Sequence, residues 1–257
     1  MEKITALQIQ KCFSAALNQY EQNATVQQQI AQKLTSLLTK QSIIQFDSCL
    51  EIGCGTGHLT RALNNQYQIK QWYIQDLCDC SSFLEKILPQ GNFHFHQSNA
   101  ELCPLDGKYH LVASASAVQW FHEKQLFIRH SASQLKANGI LLFSTFAEHN
   151  LREIKQLTGI GLSYPSMNEW QQWLENDFDI LQLNQEKIIL ELDSPKAVLQ
   201  HLKSTGVTAT NNIIWTKNTL QNFYHSYREN YTTATDKVSL TYEPLYCVAK
   251  KKEKEIK

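Results

Sequence analysis

Neither sign of charge dominates this chain of 257 residues: 24 Lys and Arg stand against 24 Asp and Glu. Such a balance sets up no global field that would draw in nucleic acid or an anionic membrane. Long apolar runs are missing too, so nothing reads as a bilayer span, and the opening MEKITALQIQ lacks the apolar core of a signal peptide. These absences predict a cytoplasmic protein. Cysteines number seven, an odd count, and none forms a Cys-x-x-Cys pair. Cys78 and Cys80 are too close in sequence for an ordinary zinc knuckle, so reduced thiols are the simplest reading. His94 and His96 share one face of a strand, but no third ligand is evident and no metal is assigned. There is no internal repeat, and the Gln-rich patches are too short to count as low complexity. The ending KKKEKEIK reads as a solvated tail.

What is present is material for a core. Apolar residues make up 42% of the chain and charged residues 19%, enough for one large domain or a domain with a substantial insertion. In YEQNATVQQQIAQKLTSLL, residues 20–38, Val26, Ile30, Leu34 and Leu38 fall on one helical face. From there strand alternates with helix: SCLEI, a helix over 57–65, QIKQWYIQDL, the helix SSFLEKIL, NFHFHQ, YHLVASASA, the helix EKQLFIRHSASQL stopped by Asn138-Gly139, and ILLFSTF. That alternation predicts an α/β fold, doubly wound, with a parallel sheet covered on both faces. After about residue 147 it lapses into two helical stretches, strands within FDILQLNQEKIILEL, a helix over 195–203, an irregular stretch to 215, the helix LQNFYHSYREN and a last strand LTYEPLYCVAK.

The stretch LEIGCGTGHLTRAL ends a strand with an acid and opens a helix with three glycines. Glycines there let backbone approach a ligand, beside the free N–H groups of the helix start. A nicotinamide-binding turn needs Gly-x-Gly-x-x-Gly, whereas Gly53, Gly55 and Gly57 leave His58 at the sixth position. Glu51, two residues before the first glycine, would repel a pyrophosphate but suits a cofactor with cationic groups. Asp76 ends the second strand, where a carboxylate would accept two ribose hydroxyls. Together these features suit S-adenosylmethionine, which carries a sulfonium and an ammonium. A tight turn without a ligand is the competing explanation.

LEIGCGTGHLTRAL, IQDL, NAELCPL and GILLFSTF resemble the ordered motifs of class I S-adenosylmethionine-dependent methyltransferases, over about residues 46–146. The resemblance implies a seven-stranded sheet with its last strand antiparallel. It implies Glu51, Gly53, Cys54, Gly55 and Gly57 around the methionine part of the cofactor, with Ser114 beneath it. Asp76 would bind the ribose, Leu77 would flank the adenine, and Asn99 and Ala100 would touch the adenine edge. Cys54 is also explained simply by being small.

Outside that core, CFSAALNQYEQNATVQQQIA, ASAVQWF, STFAEHNLREI, HLKSTGVTAT and LTYEPLYCVAKK are similar to the malonyl-acyl-carrier-protein O-methyltransferase family of biotin synthesis. The family places the segment with Tyr20 and Gln27 over the cofactor. It implies methylation of the free carboxylate of a malonyl thioester on acyl-carrier protein, masking the charge so that elongation accepts the unit as a primer. The implied substrate residues are Tyr20, Gln119 and Trp120. Relatives usually carry an Arg where this chain has Ala15, so a carboxylate anchor is sought elsewhere, at Arg152 or Lys203. Arg152, Lys155, Lys196 and Lys203 would otherwise be a solvated set or face an acidic carrier protein.

No catalytic base is required, because a malonyl carboxylate with a pKa of about 4 is already ionised near neutrality. Tyr20 could merely pack, and Trp120 reads as pocket wall. The expected division is a helical cap over 1–45, a cofactor-binding core over 46–146, a lid insertion with the sixth strand over 147–215, the last helix and strand over 216–250, and a tail from 251. Three other functions stay open: a methyltransferase of a free small acid of the trans-aconitate type, a cofactor-binding regulator without transfer, and a Rossmann oxidoreductase.

Overall fold

The computed structural model describes residues 4–39, 45–207 and 215–253. Nine strands and nine α-helices are formed by these residues. The helical register expected over 20–38 is interrupted at Ala24, whose N–H donates to Tyr20 O at 2.8 Å and closes helix α1 (Ala6–Asn23). Helix α2 (Thr25–Thr39) follows at once and buries Val26, Ile30, Leu34 and Leu38, as the spacing predicts. Most of α1 has no counterpart in the apolar pattern, because only Ile9 and Ala16 are buried along it. Its start is marked by a capping box instead: Thr5 Oγ1 accepts the Gln8 N–H while the Gln8 side chain accepts the Thr5 N–H.

Strand β1 (Gln45–Ile52), helix α3 (His58–Gln66), strand β2 (Gln68–Asp76), the single turn α4 (Ser81–Leu84), strand β3 (Phe93–Gln97), strand β4 (Tyr109–Ala115), helix α5 (Lys124–Gln134) and strand β5 (Leu135–Phe146) match the predicted alternation, except that α5 ends at Gln134 and the expected stop, Asn138-Gly139, lies within β5. SSFLEKIL is helical for one turn and then proceeds by turns to Leu88. These five strands pair in parallel. Side chains of β5 alternate between the two layers: Ile140, Leu142 and Phe146 join the core packed by α2, while Leu141 and Phe143 join a second core with Phe127 and Trp170. Burial on both faces is why ILLFSTF reads as an unbroken apolar run.

Beyond β5 come α6 (Arg152–Thr158), α7 (Met167–Glu175), β6 (Phe178–Gln185), β7 (Ile188–Leu192), α8 (Pro195–Ser204), α9 (Lys217–Tyr231), β8 (Val238–Tyr242) and β9 (Pro244–Lys251). The seven-stranded sheet has the order β3-β2-β1-β4-β5-β9-β6. Only β9, the last strand of the chain, runs antiparallel to its neighbours, so the expected sheet is the one formed. LTYEPLYCVAK is two strands rather than one: β8 pairs with β7 in a separate two-stranded sheet. The chain changes sheet at Glu243, whose N–H donates to Asn150 Oδ1 at 3.1 Å and whose carboxylate accepts the His149 N–H at 2.7 Å. Pro244 then starts β9, where its missing N–H matters least.

The predicted tail begins later than residue 251. Lys251 completes β9, and Lys252 donates to the carbonyl of Asp177 at 3.0 Å and, through Nζ, to that of Glu175 at 2.7 Å. Residues 208–210, the end of HLKSTGVTAT, and residues 254–257 lie outside the described residues. Among the described residues no helix is long and apolar enough to cross a membrane.

Candidate active site

The carboxyl ends of β1, β2 and β4 open on one side of the sheet, and the glycine loop turns there. Gly53 has φ +75° and donates its N–H to Gln75 O at 2.8 Å, fastening the loop to β2. A Cβ at this position would collide with the Cβ of Ala117. Gly57, with φ +85°, is the residue before α3; its N–H donates to Cys54 O at 2.9 Å, and a Cβ there would collide with the Ile87 side chain. Both positions therefore need glycine for conformation and for space.

Asp76 closes β2. Its Oδ2 accepts the Gly55 N–H at 2.9 Å, and its Oδ1 accepts the Cys78 N–H at 2.8 Å. Burial pushes its carboxyl above the usual range, opposed by those backbone N–H groups. Glu51 is wholly buried behind the loop. Thr60 Oγ1 donates to Oε2 at 2.8 Å, while Oε1 has no partner. Burial, partly offset by Thr60 and reinforced by the charge of Asp76, holds the Glu51 carboxyl up at about 8.

A cavity of about 1180 Å³, counting its mouth open to solvent, lies over this floor. Of the sequence-predicted cofactor residues, Gly53, Cys54, Gly55, Asp76, Leu77, Asn99 and Ala100 line it, as do Tyr20 and Gln27 from the N-terminal helices. Glu51, Gly57 and Ser114 stand behind the wall rather than on it; the Ser114 hydroxyl donates to Ile52 O at 2.8 Å, and the residues following it, Ala115 to Ala117, face the space. Helix α1 roofs the cavity. Gln10 Nε2 donates to Leu77 O at 2.8 Å, and Arg61 pairs with Glu21 at 3.0 Å.

A smaller cavity of about 380 Å³ adjoins the first and shares Phe13, Tyr20, Gln27, Ser116 and Trp120 with it. Gln119, Asn150, Tyr164, Thr205 and Tyr242 supply its other polar groups. Several polar atoms on these walls have no partner within the protein: Gln27 Oε1, both nitrogens of His58, Ser116 Oγ, Gln119 Oε1 and Trp120 Nε1. Buried groups in that condition take partners from water or from a ligand in the cavities. Phe13 stands edge-on to Trp120 with centroids 5.5 Å apart, and the Tyr20 ring lies 5.9 Å from the His58 ring. Burial first, then the charge of Asp76, pushes the Tyr20 phenol far above its ordinary range, so it stays protonated. Tyr164, which accepts from Asn150 Nδ2 at 3.0 Å, is raised to about 12 by burial.

Arg152 and Lys203 are not among the residues lining either cavity. Arg152 opens α6 with its Nε 3.6 Å from Glu153 Oε1. Lys203 is exposed on α8, and Ala15 is exposed on α1. No Lys or Arg lines the smaller cavity among the described residues. The pattern of residue types missed Phe13, Ser116, Asn150, Tyr164, Thr205 and Tyr242. They come from six separate segments, and only folding brings them together. Ser116 did carry a local mark, the small-residue run ASASA that closes β4 and continues just past it.

A floor of this kind, with its glycine turn on the first strand and its acid on the second, is the frame of the class I S-adenosylmethionine-dependent methyltransferases. Solved structures agree on the fold. The YcgJ protein of Bacillus subtilis superposes with a TM-score of 0.63 at 16% identity, covering 86% of this chain and 98% of its own. The N-methyltransferase NodS of Bradyrhizobium japonicum, solved with S-adenosyl-L-homocysteine, superposes with a TM-score of 0.51 at 11% identity over 86% of each chain. A family model described as a methyltransferase domain matches residues 23–187. Among curated relatives, the malonyl-[acyl-carrier protein] O-methyltransferase of Haemophilus influenzae is 43% identical, covering 94% of this chain and 93% of its own. Its namesake from Porphyromonas gingivalis is 42% identical over 93% and 94%. The chain belongs to the malonyl-[acyl-carrier protein] O-methyltransferase family.

Proposed function

We propose that the protein methylates the free carboxylate of a malonyl thioester carried on acyl-carrier protein, with S-adenosylmethionine in the larger cavity and the malonyl group in the smaller one. The observation that carries this reading is the shared wall of Tyr20, Gln27, Ser116 and Trp120 between the two spaces. The residues fit the cofactor: Asp76 would hold the ribose hydroxyls, the bare backbone at Gly53 and Gly55 would admit the methionine part, and Leu77, Asn99 and Ala100 would surround the adenine. When bound, S-adenosylmethionine supplies an electrophilic methyl group.

The chain's own residues have three tasks. They must accept a carboxylate without a base, since it is ionised at neutral pH with a pKa of about 4. They must orient it toward the larger cavity, and they must keep water out. Methyl transfer removes the carboxylate charge. A tight salt bridge would therefore stabilise the starting state more than the transition state. Neutral donors avoid that penalty while still offsetting the cost of burying the anion. Tyr20 is one, protonated because of burial and Asp76. The amide of Gln119 is another; its Nε2 now donates to Ser116 O at 2.6 Å, and turning the side chain would redirect it. Tyr164 and Asn150 complete the set.

The cover is formed by α1 and by the insertion after β5. Phe13 of α1 packs where Gly206 leaves room, since a Cβ there would meet the ring at 2.8 Å. Scattered surface cations such as Lys155, Lys196 and Lys203 are the groups available to an acidic carrier protein. Incubating malonyl-carrier protein with enzyme and S-adenosylmethionine, then weighing the carrier by mass spectrometry, tests the reading. A gain of one methyl group, abolished by prior esterification, is expected. Methylation of free malonate or trans-aconitate without methylation of the thioester would overturn it.

A further inference from the structure

The sequence assigns no metal, and the reason is spacing: the ligand atoms that converge in space come from separate loops. Cys54 Sγ, a carboxylate oxygen of Asp76 and Cys80 Sγ all lie within 4.8 Å of one another. Among the described residues no other group of three or more His, Cys, Asp and Glu side chains is so gathered. Cys54 belongs to the glycine loop after β1, and Cys80 precedes α4 after β2. Both thiols are free and buried, and both line the larger cavity. The Cys54 thiol donates to Gly55 O at 3.7 Å. Cys78 is turned away, toward Ser14 at 3.5 Å and Gln10 O at 3.7 Å.

We propose that Cys54, Asp76 and Cys80 form a site for a thiophilic divalent cation such as Zn²⁺, and that an ion bound there excludes the methyl-donor cofactor. Two sulfurs and one carboxylate oxygen are a ligand set that zinc accepts, and three protein ligands leave a fourth position for water from the cavity. Tetrahedral zinc, with bonds of about 2.0–2.3 Å, needs its ligand atoms about 3.3–3.8 Å apart. Side-chain rotations that contract the cluster by up to about 1 Å would close it around the ion. Each ion bound releases the two thiol protons to solvent, and two thiolates, one carboxylate and a divalent cation leave a net charge of −1. The ion would draw on Asp76, so ribose hydroxyls and metal could not both be served. That exclusion rests on the cofactor reading of Asp76; the metal site itself does not.

The test uses the full chain, reduced and stripped of metal. Cobalt(II) is titrated in, and the thiolate-to-cobalt charge-transfer absorption is followed. One equivalent should produce the band, and Zn²⁺ should displace it. Cys80→Ser and Cys54→Ser should each weaken cobalt binding at least about tenfold, a loss that even outer-shell changes commonly cause. Cys103→Ser, which alters an exposed thiol, should leave the band unchanged. Circular dichroism identifies any variant that has lost its fold, and Cys80→Ala is a second replacement at the same point. S-adenosylhomocysteine should bind the metal-free protein by calorimetry and bind at least tenfold more weakly in the presence of equimolar Zn²⁺. Absence of the band, or a band unchanged in folded Cys54 and Cys80 variants, overturns the site. Undiminished S-adenosylhomocysteine affinity with Zn²⁺ bound overturns the exclusion. Failure of S-adenosylhomocysteine to bind metal-free protein would count instead against the cofactor reading.

Discussion

The amide of Gly55 donates to Asp76 Oδ2 at 2.9 Å, so two segments 21 residues apart are joined at the floor of the larger cavity. The other oxygen takes the Cys78 N–H at 2.8 Å. One carboxylate thus shapes both loops around the space where it would also receive ribose hydroxyls. Asp76→Ala should weaken S-adenosylmethionine binding by about 1.5–3 kcal/mol, as expected for hydrogen bonds to a charged group. Asp76→Asn keeps one acceptor and should lose less. Calorimetry on folded variants checks this, and unchanged affinity in Asp76→Ala would remove the residue from the site.

Glu51 gives a pH signature. Its carboxyl is held at about 8 by burial, against an ordinary value of 4.5. Between those limits the folded protein keeps a proton that the unfolded chain has released. Stability contributed by this group is therefore full below pH 4.5 and lost as pH rises through about 8. The slope is at most about 1.4 kcal/mol per pH unit. Glu51→Gln should remove it, so the variant gains on the wild type in thermal unfolding as pH goes from 6 to 9 without cofactor. A cationic cofactor favours the ionised form, so binding near neutrality should release a proton in the wild type and none in Glu51→Gln. Calorimetry in buffers of different ionisation heat reads that difference.

How far the sequence carried depends on how local each signal was. Val26, Ile30, Leu34 and Leu38 repeat at helical spacing and are all buried. The glycine loop and Asp76 fall where their spacing in sequence put them, on the wall of one cavity. A helical cap over 1–45 was expected, but the apolar pattern of α1 is thin because that helix covers a cavity instead of filling a core. The split between β8 and β9 was hidden because Glu243 turns the chain through contacts with His149 and Asn150, 94 and 93 residues away. The same limit applies to the smaller cavity. Tyr164, Thr205 and Tyr242 meet there without any motif, whereas Lys203 was singled out by its charge within HLKSTGVTAT, a stretch the resemblance places near the substrate, and Arg152 by its charge just beyond the fifth strand.

Arg152 and Glu153 should separate sharply on mutation. Glu153 is fully buried and accepts the Thr241 N–H at 3.0 Å and the Thr241 hydroxyl at 2.5 Å, tying α6 to β8. Removing it strands those donors, so Glu153→Ala should cost about 1–3 kcal/mol for each buried donor left without a partner. Arg152 is 42% exposed at its side chain and only 3.6 Å from the same carboxylate. Arg152→Ala should cost under about 1 kcal/mol. Denaturant unfolding measures both, and similar losses would contradict the packing described.

Helix α1 should respond to cofactor. Few of its side chains are fully buried, yet Ala6, Ile9, Phe13, Leu17 and Tyr20 all line the larger cavity. A ligand there completes the surface that α1 otherwise lacks. Hydrogen exchange in residues 6–23 should slow when S-adenosylhomocysteine is added, while the strands β4 and β5 change little. Equal exchange with and without ligand would mean that α1 closes independently of the cofactor.

The neutral walls of the smaller cavity make the sharpest prediction for substrate recognition. Tyr20 borders both cavities, and its phenol remains protonated through the physiological range. It can donate to a carboxylate but cannot act as a base. Tyr20→Phe removes one donor while keeping the ring that packs near Phe13, at 6.4 Å between centroids. Gln119→Leu removes another. Each loss of a hydrogen bond to a charged group should cost about 1.5–3 kcal/mol in kcat/KM for malonyl-carrier protein. Competition by the malonyl thioester should weaken more than competition by its methyl ester, because only the acid carries the charge those donors meet. Arg152→Ala should leave that discrimination intact, since its side chain lies outside the cavity wall. Lys203→Ala should do the same; any effect it has should be on KM for the carrier-bound substrate and absent for a malonyl thioester without carrier. If Arg152→Ala or Lys203→Ala abolishes discrimination while Tyr20→Phe and Gln119→Leu preserve it, a cation holds the carboxylate, and the cavity must rearrange on binding to admit it.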